Sequence, residues 1–113
     1  MTYEEELVFG LKRWIYKAAK YLDQREMEEF FKDEKSFDAC CYCLEVISDI
    51  ATRILENDNL ITKFDTIDFQ FISTANKYPL KDDNMNLNAY YELFASYLPK
   101  IYNEIVKIEK EDK

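Results

Sequence analysis

No histidine occurs among the 113 residues, and that absence removes much of the catalytic repertoire. Histidine is the commonest general base, the usual activator of a serine or cysteine nucleophile, and a leading ligand of catalytic zinc and iron. Glycine is nearly missing, with Gly10 alone, so a phosphate-cradling glycine-rich loop is excluded. Proline stands only at Pro79 and Pro99. No apolar run approaches the roughly 20 residues that cross a bilayer, so no membrane partner is expected. Positive charge is also scarce: the net charge is −8, and no basic stripe offers the footprint of a phosphate-backbone binder. The small cluster Lys12, Arg13, Lys17 and Lys20 reads as a solvated helix face, and nucleic acid is disfavoured as a partner. The start of the chain, Met1-Thr2-Tyr3-Glu4-Glu5-Glu6, is acidic, unlike a signal peptide, and the cytosol is the expected compartment.

What is present is apolar and aromatic. Hydrophobic residues make up 48% and aromatic residues 16%, beside 34% charged residues. That composition argues for one packed domain rather than disorder, placed over residues 1–108 with a loose tail over 109–113. Thr2-Tyr3-Glu4-Glu5 is a capping-box pattern, and Leu7, Leu11, Trp14, Ile15, Ala18 and Leu22 follow at helical spacing. Asp23 is positioned to cap a short second helix ending near Lys32. Ser36 is expected to start the third helix, with Phe37, Cys40, Cys41, Leu44, Ile47, Ala51, Ile54 and Leu55 as its core stripe. Cys43, Val46 and Ile50 widen that stripe, so this helix is either central or shared with a second subunit. Those three are the candidate dimer or partner interface. Asn57-Asp58-Asn59 closes the helix, and Phe64, Ile67, Phe71, Ile72 and Ala75 mark a fourth, to about Asn76. Pro79 and Lys81-Asp82-Asp83-Asn84 form a loop. Asn84 or Asn86 is a candidate cap for a last helix running to Ile108, which Pro99 should kink. The expected class is all-α: an antiparallel bundle of four main helices plus one short one.

Several patterns that could carry chemistry have plainer readings. Cys40 and Cys43 form a C-x-x-C, but they lie inside a helix beside Asp38 and Glu45, without the cations or helix N-terminus that stabilise a thiolate. Zinc would need four ligands, so buried reduced thiols are expected. Asp82-Asp83-Asn84-Met85-Asn86 echoes a calcium loop but has Leu87 at the glycine position and Leu93 at the bidentate position. Glu45 and Asp49 lie one turn apart without the histidines of a di-iron bundle. No metal and no cofactor are expected. Tyr90, Tyr91, Phe94, Tyr97 and Tyr102 read first as core and second as an interface.

Residues 29–54 nonetheless resemble a known family. Glu29-Phe30-Phe31 with Asp38-Ala39, followed by Leu44-Glu45, Ile47, Asp49 and Arg53, is similar to the acidic segment and the helix "L-E-x-I-x-[ED]-A-x-x-R" of the HepT-like branch of the HEPN superfamily. Tyr97-Leu98-Pro99-Lys100-Ile101 is similar to that family's "D-L-P-x-[LI]". The similarity spans about residues 5–108. It implies a helical bundle that dimerises, typically a toxin–antitoxin RNase neutralised by a minimal nucleotidyltransferase. The family's catalytic Arg-Asn, His and Tyr would fall on Ala75, Asn76, Leu80 and Asp82, and its upstream Trp on Asp68. A one-residue slip would bring Asn76 and Lys81 to the Arg and His positions instead. Asn76 alone survives. Loss of the cation and the imidazole removes both phosphate stabilisation and proton transfer, the latter contributing roughly 100–10,000-fold.

The resulting expectation is a catalytically degenerate member: a protein-binding or regulatory subunit, homodimeric, partnered by a minimal nucleotidyltransferase or a second HEPN chain. Two alternatives stay open. One is an RNase whose chemistry has moved to Asn76, Lys77, Tyr78 and Lys81. The other is a nucleotide- or substrate-binding subunit of a nucleotidyltransferase.

Overall fold

The computed structural model describes residues 1–80 and 87–111, the side chains of 78–80 excepted. The described residues are helical with no strand. Three long helices, α1 (Tyr3–Leu22), α3 (Glu34–Leu55) and α7 (Leu98–Glu111), are joined by short ones: α2 (Met27–Lys32), α4 (Asp58–Lys63), α5 (Phe69–Thr74) and α6 (Leu87–Glu92). A 3₁₀ segment (Ala75–Leu80) continues α5, and a π-helical turn (Leu93–Tyr97) links α6 to α7.

Local chemistry explains the boundaries. The capping box forms as the sequence indicates: Glu5 donates its backbone N–H to Thr2 Oγ1 at 3.1 Å, and Thr2 donates its N–H to the Glu5 carboxylate at 3.2 Å. Asp23 does not start α2 but ends α1. Its φ of 53° is left-handed and its N–H donates to Ala19 O, while Gln24 follows at φ 56°. Two successive left-handed residues reverse the chain, a conformation Asp tolerates better than most. Ser36 is likewise not the cap of α3. Asp33 is: it accepts the Ser36 N–H at 3.2 Å and the Ser36 hydroxyl at 2.7 Å, so the helix begins at Glu34. Arg25 braces this corner, donating to Asp33 at 2.9 Å and to the carbonyls of Leu22 and Tyr21 at the end of α1.

The expected fourth helix is the largest departure. Asn57 closes α3 and at once caps α4, accepting the Leu60 N–H at 3.0 Å, so a helix stands where a loop was expected. Phe64 lies at the end of α4, and Asp68 starts α5 by accepting the Phe71 N–H at 3.0 Å. In the last helix, the strain expected at Pro99 takes the form of a π turn: Leu98 donates its N–H five residues back, to Leu93 O. Pro99 follows as the second residue of α7, within a helical run unbroken from Leu87 to Glu111, where it has no N–H to give to the preceding turn. Asn84 and Asn86, the candidate caps, lie outside the described residues. The helix also passes Ile108 to Glu111, and Glu109 in the expected tail accepts from Lys12 at 2.7 Å.

Contacts fix how the helices run. Tyr3 meets Arg53, Gly10 faces Ile50, Trp14 meets Tyr42 and Ala18 meets Cys40, so α1 and α3 run in opposite directions. Lys12 meets Glu109, and Tyr16 and Ala19 share a groove with Pro99 and Tyr102, so α7 opposes α1 on another side. Phe30 from α2 closes the end of the core. It is fully buried and its ring contacts Phe31, Phe37, Tyr91 and Phe94, with the Arg25 guanidinium 5.9 Å from its centre. Phe30→Ala is expected to cost about 3–5 kcal/mol in urea unfolding followed by circular dichroism. Phe9→Ala, on an exposed face of α1, should stay within about 0.5 kcal/mol.

Candidate functional site

The residues that the sequence marks for chemistry gather where α3 meets α5 and the 3₁₀ segment. Ser48 is the one buried polar side chain of the described core. It stands on α3 among Leu44, Ile47 and Ala51, and the apolar face of α5 closes over it. Its hydroxyl donates to Ile72 O at 2.8 Å and accepts the Asn76 N–H at 3.2 Å. These are the backbone groups left over where α5 tightens into 3₁₀ geometry, and helix termini need such partners. The side-chain amide of Asn76 then donates to the Glu45 carboxylate, one turn before Ser48, at 3.2 Å. Asn76 Oδ1 is buried without a hydrogen-bond partner among the described residues.

In this arrangement the Ser48 hydroxyl is committed to the fold on both sides. The Ser48 proton is directed to a backbone carbonyl, so no base activates the hydroxyl as a nucleophile. Ala75, at the expected Arg position, is fully buried, and only a methyl group stands there. The Leu80 backbone completes the 3₁₀ segment, whereas Asp82 and Lys81 lie outside the described residues. Glu45 and Asp49 do not act as a pair: Glu45 receives Asn76, and Asp49 receives Arg53 at 3.1 Å. No cluster of metal-ligating side chains occurs among the described residues.

The cysteines are structural. Cys40 and Cys43 are buried and Cys41 is half-buried; none forms a disulfide. Burial pushes the Cys40 thiol up to about 12, its two neighbouring cysteines adding to the effect. Burial also raises Cys41 and Cys43. The Cys41 sulfur and the Tyr90 hydroxyl are 2.8 Å apart, and burial, then this contact, raises the tyrosine in turn. Sequence reasoning placed Tyr90 in the core but did not foresee this pairing, since no pattern links positions 49 apart.

The expected interface residues separate. Cys43 is only 1% exposed and belongs to the chain's own core against α1, so it is not available to a partner. Val46 and Ile50 are half-buried. Beside them run Gly10, half-buried Trp14 and exposed Tyr3 and Tyr42, a face that sequence periodicity could not show because it is shared by two helices. Of the local basic cluster, Lys12 pairs with Glu109, Lys17 lies 4.3 Å from the Trp14 ring centre and Lys20 5.5 Å from that of Tyr16, while Arg13 is exposed.

No protein-family model, curated protein or solved structure matches the chain. No described helix is long and apolar enough to cross a membrane.

Ser48→Ala should leave Ile72 O and the Asn76 N–H without their partner and cost about 1–3 kcal/mol, read by urea unfolding, with faster amide exchange at Asn76. The thiols set an alkaline limit. Folded Cys40 keeps its proton while the unfolded thiol ionises near its ordinary value of about 8.5. The stability that rests on protonated Cys40 is therefore full below that pH and lost as pH rises toward 12. Cys40→Ala should flatten this alkaline decline, and native protein at pH 8 should leave Cys40 and Cys43 unalkylated until it is unfolded.

Proposed function

We propose that the chain is a non-catalytic, protein-binding subunit on a HepT-like HEPN scaffold, acting in the cytosol as a homodimer. Its further partner is a minimal nucleotidyltransferase or a second HEPN chain, in the setting of a toxin–antitoxin or defence system. The observation that carries the reading is the α1–α3 face, where Tyr3, Trp14, Tyr42, Val46 and Ile50 surround Gly10. Aromatic residues enriched on an accessible face favour a protein partner, since they supply large contact area at low entropic cost. The missing glycine side chain keeps α1 and α3 close: a Cβ at Gly10 would stand 3.3 Å from Ile50 Cδ1. The absence of histidine, the methyl group of Ala75 and the structural use of Ser48 support a binding role over RNA cleavage.

Gentle native co-purification from the host, with partners identified by mass spectrometry and mass by light scattering, tests the reading. The expected result is a dimer, with a stoichiometric nucleotidyltransferase or HEPN chain. Val46→Arg with Ile50→Arg should reduce the assembly to folded monomer and release the partner, since two buried unpaired cations at an interface cost more than a typical association can tolerate. A chain that stays monomeric at high micromolar concentration and captures neither partner contradicts it.

A further inference from the structure

The α1–α3 face carries an ordered pattern of charge along both of its edges. The two helices are antiparallel neighbours, with Tyr3 beside Arg53, Gly10 beside Ile50 and Ala18 beside Cys40, so each residue of α1 has a level on α3. Along the outer edge of α1 stand Glu6, Arg13 and Lys17, with Asp23 at the helix end: negative, positive, positive, negative. Along the outer edge of α3, read from the same end, stand Arg53, Asp49, Asp38 and Lys35: positive, negative, negative, positive. The helix positions in each set repeat at helical spacing and so share one side of their helix. All are exposed except half-buried Lys17, which is held 4.3 Å from the Trp14 ring centre on this face. Asp49 and Arg53 also meet each other within α3, at 3.1 Å. Two further charges are turned to other sides, Lys12 to Glu109 and Glu45 to Asn76. Between the edges lies the apolar strip, where the Trp14 and Tyr42 rings pack edge-on with centres 5.6 Å apart.

We propose that a second copy of this chain covers the face with its own, about a two-fold axis parallel to the helices, so that α1 of each copy lies over α3 of the other. This arrangement rests on the homodimeric reading above and adds how the copies meet. A two-fold axis in that direction keeps every residue at its own level. Glu6 then comes level with the second copy's Arg53, Arg13 and Lys17 fall between the levels of its Asp49 and Asp38, and Asp23 comes level with its Lys35. Opposite charges face each other along the whole edge, and symmetry repeats the match on the other edge. A two-fold axis across the helices would instead lay α1 on α1 in reverse. The order negative, positive, positive, negative reads the same in both directions, so like charges would meet at each level, on α3 as on α1. A partner for α1 must offer the inverse order beside an apolar strip, and this chain carries that surface itself. Two helices of 20 and 22 residues present a face of roughly 30 Å by 20 Å, about 600 Å² on each copy, at the lower end of stable interfaces.

The test measures association and orientation separately, on the full chain. Sedimentation equilibrium at low salt is expected to show a dimer that Arg13→Glu with Lys17→Glu weakens at least about tenfold. Adding Asp38→Lys and Asp49→Lys to that same chain should return the affinity close to its starting value, because the edges match again with their signs exchanged. Circular dichroism checks that each variant remains helical. Disulfide trapping reads the orientation without altering the other charges. An equimolar mixture of Arg13→Cys and Asp49→Cys chains should give a covalent dimer on mild oxidation, whereas neither variant alone, nor the native chain with its three cysteines, should do so. A dimer that links through Arg13→Cys alone, gives no link in the mixture, or is not restored by the fourfold exchange overturns this arrangement and leaves the homodimeric reading standing. A native chain that stays monomeric at high micromolar concentration overturns both.

Discussion

The burial of one helix governs this molecule. α3 is apolar over an arc too wide for a single neighbour to cover, and α1, α2, α4, α5 and the 3₁₀ segment all lean on it. α1 takes one side in the opposite direction, with Gly10 letting the two backbones approach at Ile50. α5 takes the other side. Because the hydrophobic effect rewards area removed from water and not direction, the short elements are placed by the need to close this arc. Each is only six residues long, below the length at which a helix persists alone. Their stability is borrowed from α3 and, for α4 and α5, from the side-chain caps Asn57 and Asp68.

The same constraint shapes the polar seam. Wrapping α5 tightly around α3 forces its last turn into 3₁₀ geometry and leaves backbone groups inside the protein. Ser48 is the response: one hydroxyl serves a carbonyl of α5 and the N–H of Asn76 at once. That commitment is also why the seam reads as structure rather than chemistry. A hydroxyl held from both sides cannot act as a nucleophile without leaving two buried groups unpaired, and no titratable base stands behind it. On the outside, an aromatic and aliphatic face runs over α1 and α3, where Trp14, Tyr42, Val46 and Ile50 stand together.

Much of this was legible along the chain, and the limits are physical. The capping box at Thr2 and Glu5, the stripe from Leu7 to Leu22, and the stripe from Phe37 to Leu55 are encoded by neighbours within one or two helical turns, which periodicity reads well. The errors fall at the junctions. Asp23, Asp33, Ser36 and Asn57 are all competent caps, and choosing among them requires knowing where the next element packs. Asn57 can end one helix and start another, so a local reading of it as a terminator saw half its role. Pro99 signalled an irregularity, and the structure places it as a π turn over Leu93–Tyr97.

The amino-acid sequence alone determined the all-helical class, the aromatic core and the apolar stripes of the long helices, because each follows from composition or from short-range spacing. Only the tertiary structure decided that Cys43 is spent inside the chain while Val46 and Ile50 remain accessible, that Ser48 and Asn76 form one seam, and that Trp14 and Tyr42 share a face. Those residues lie on different elements. Their proximity is set by how the wide apolar arc of α3 is covered, a balance of packing over the whole molecule that no window of the sequence contains.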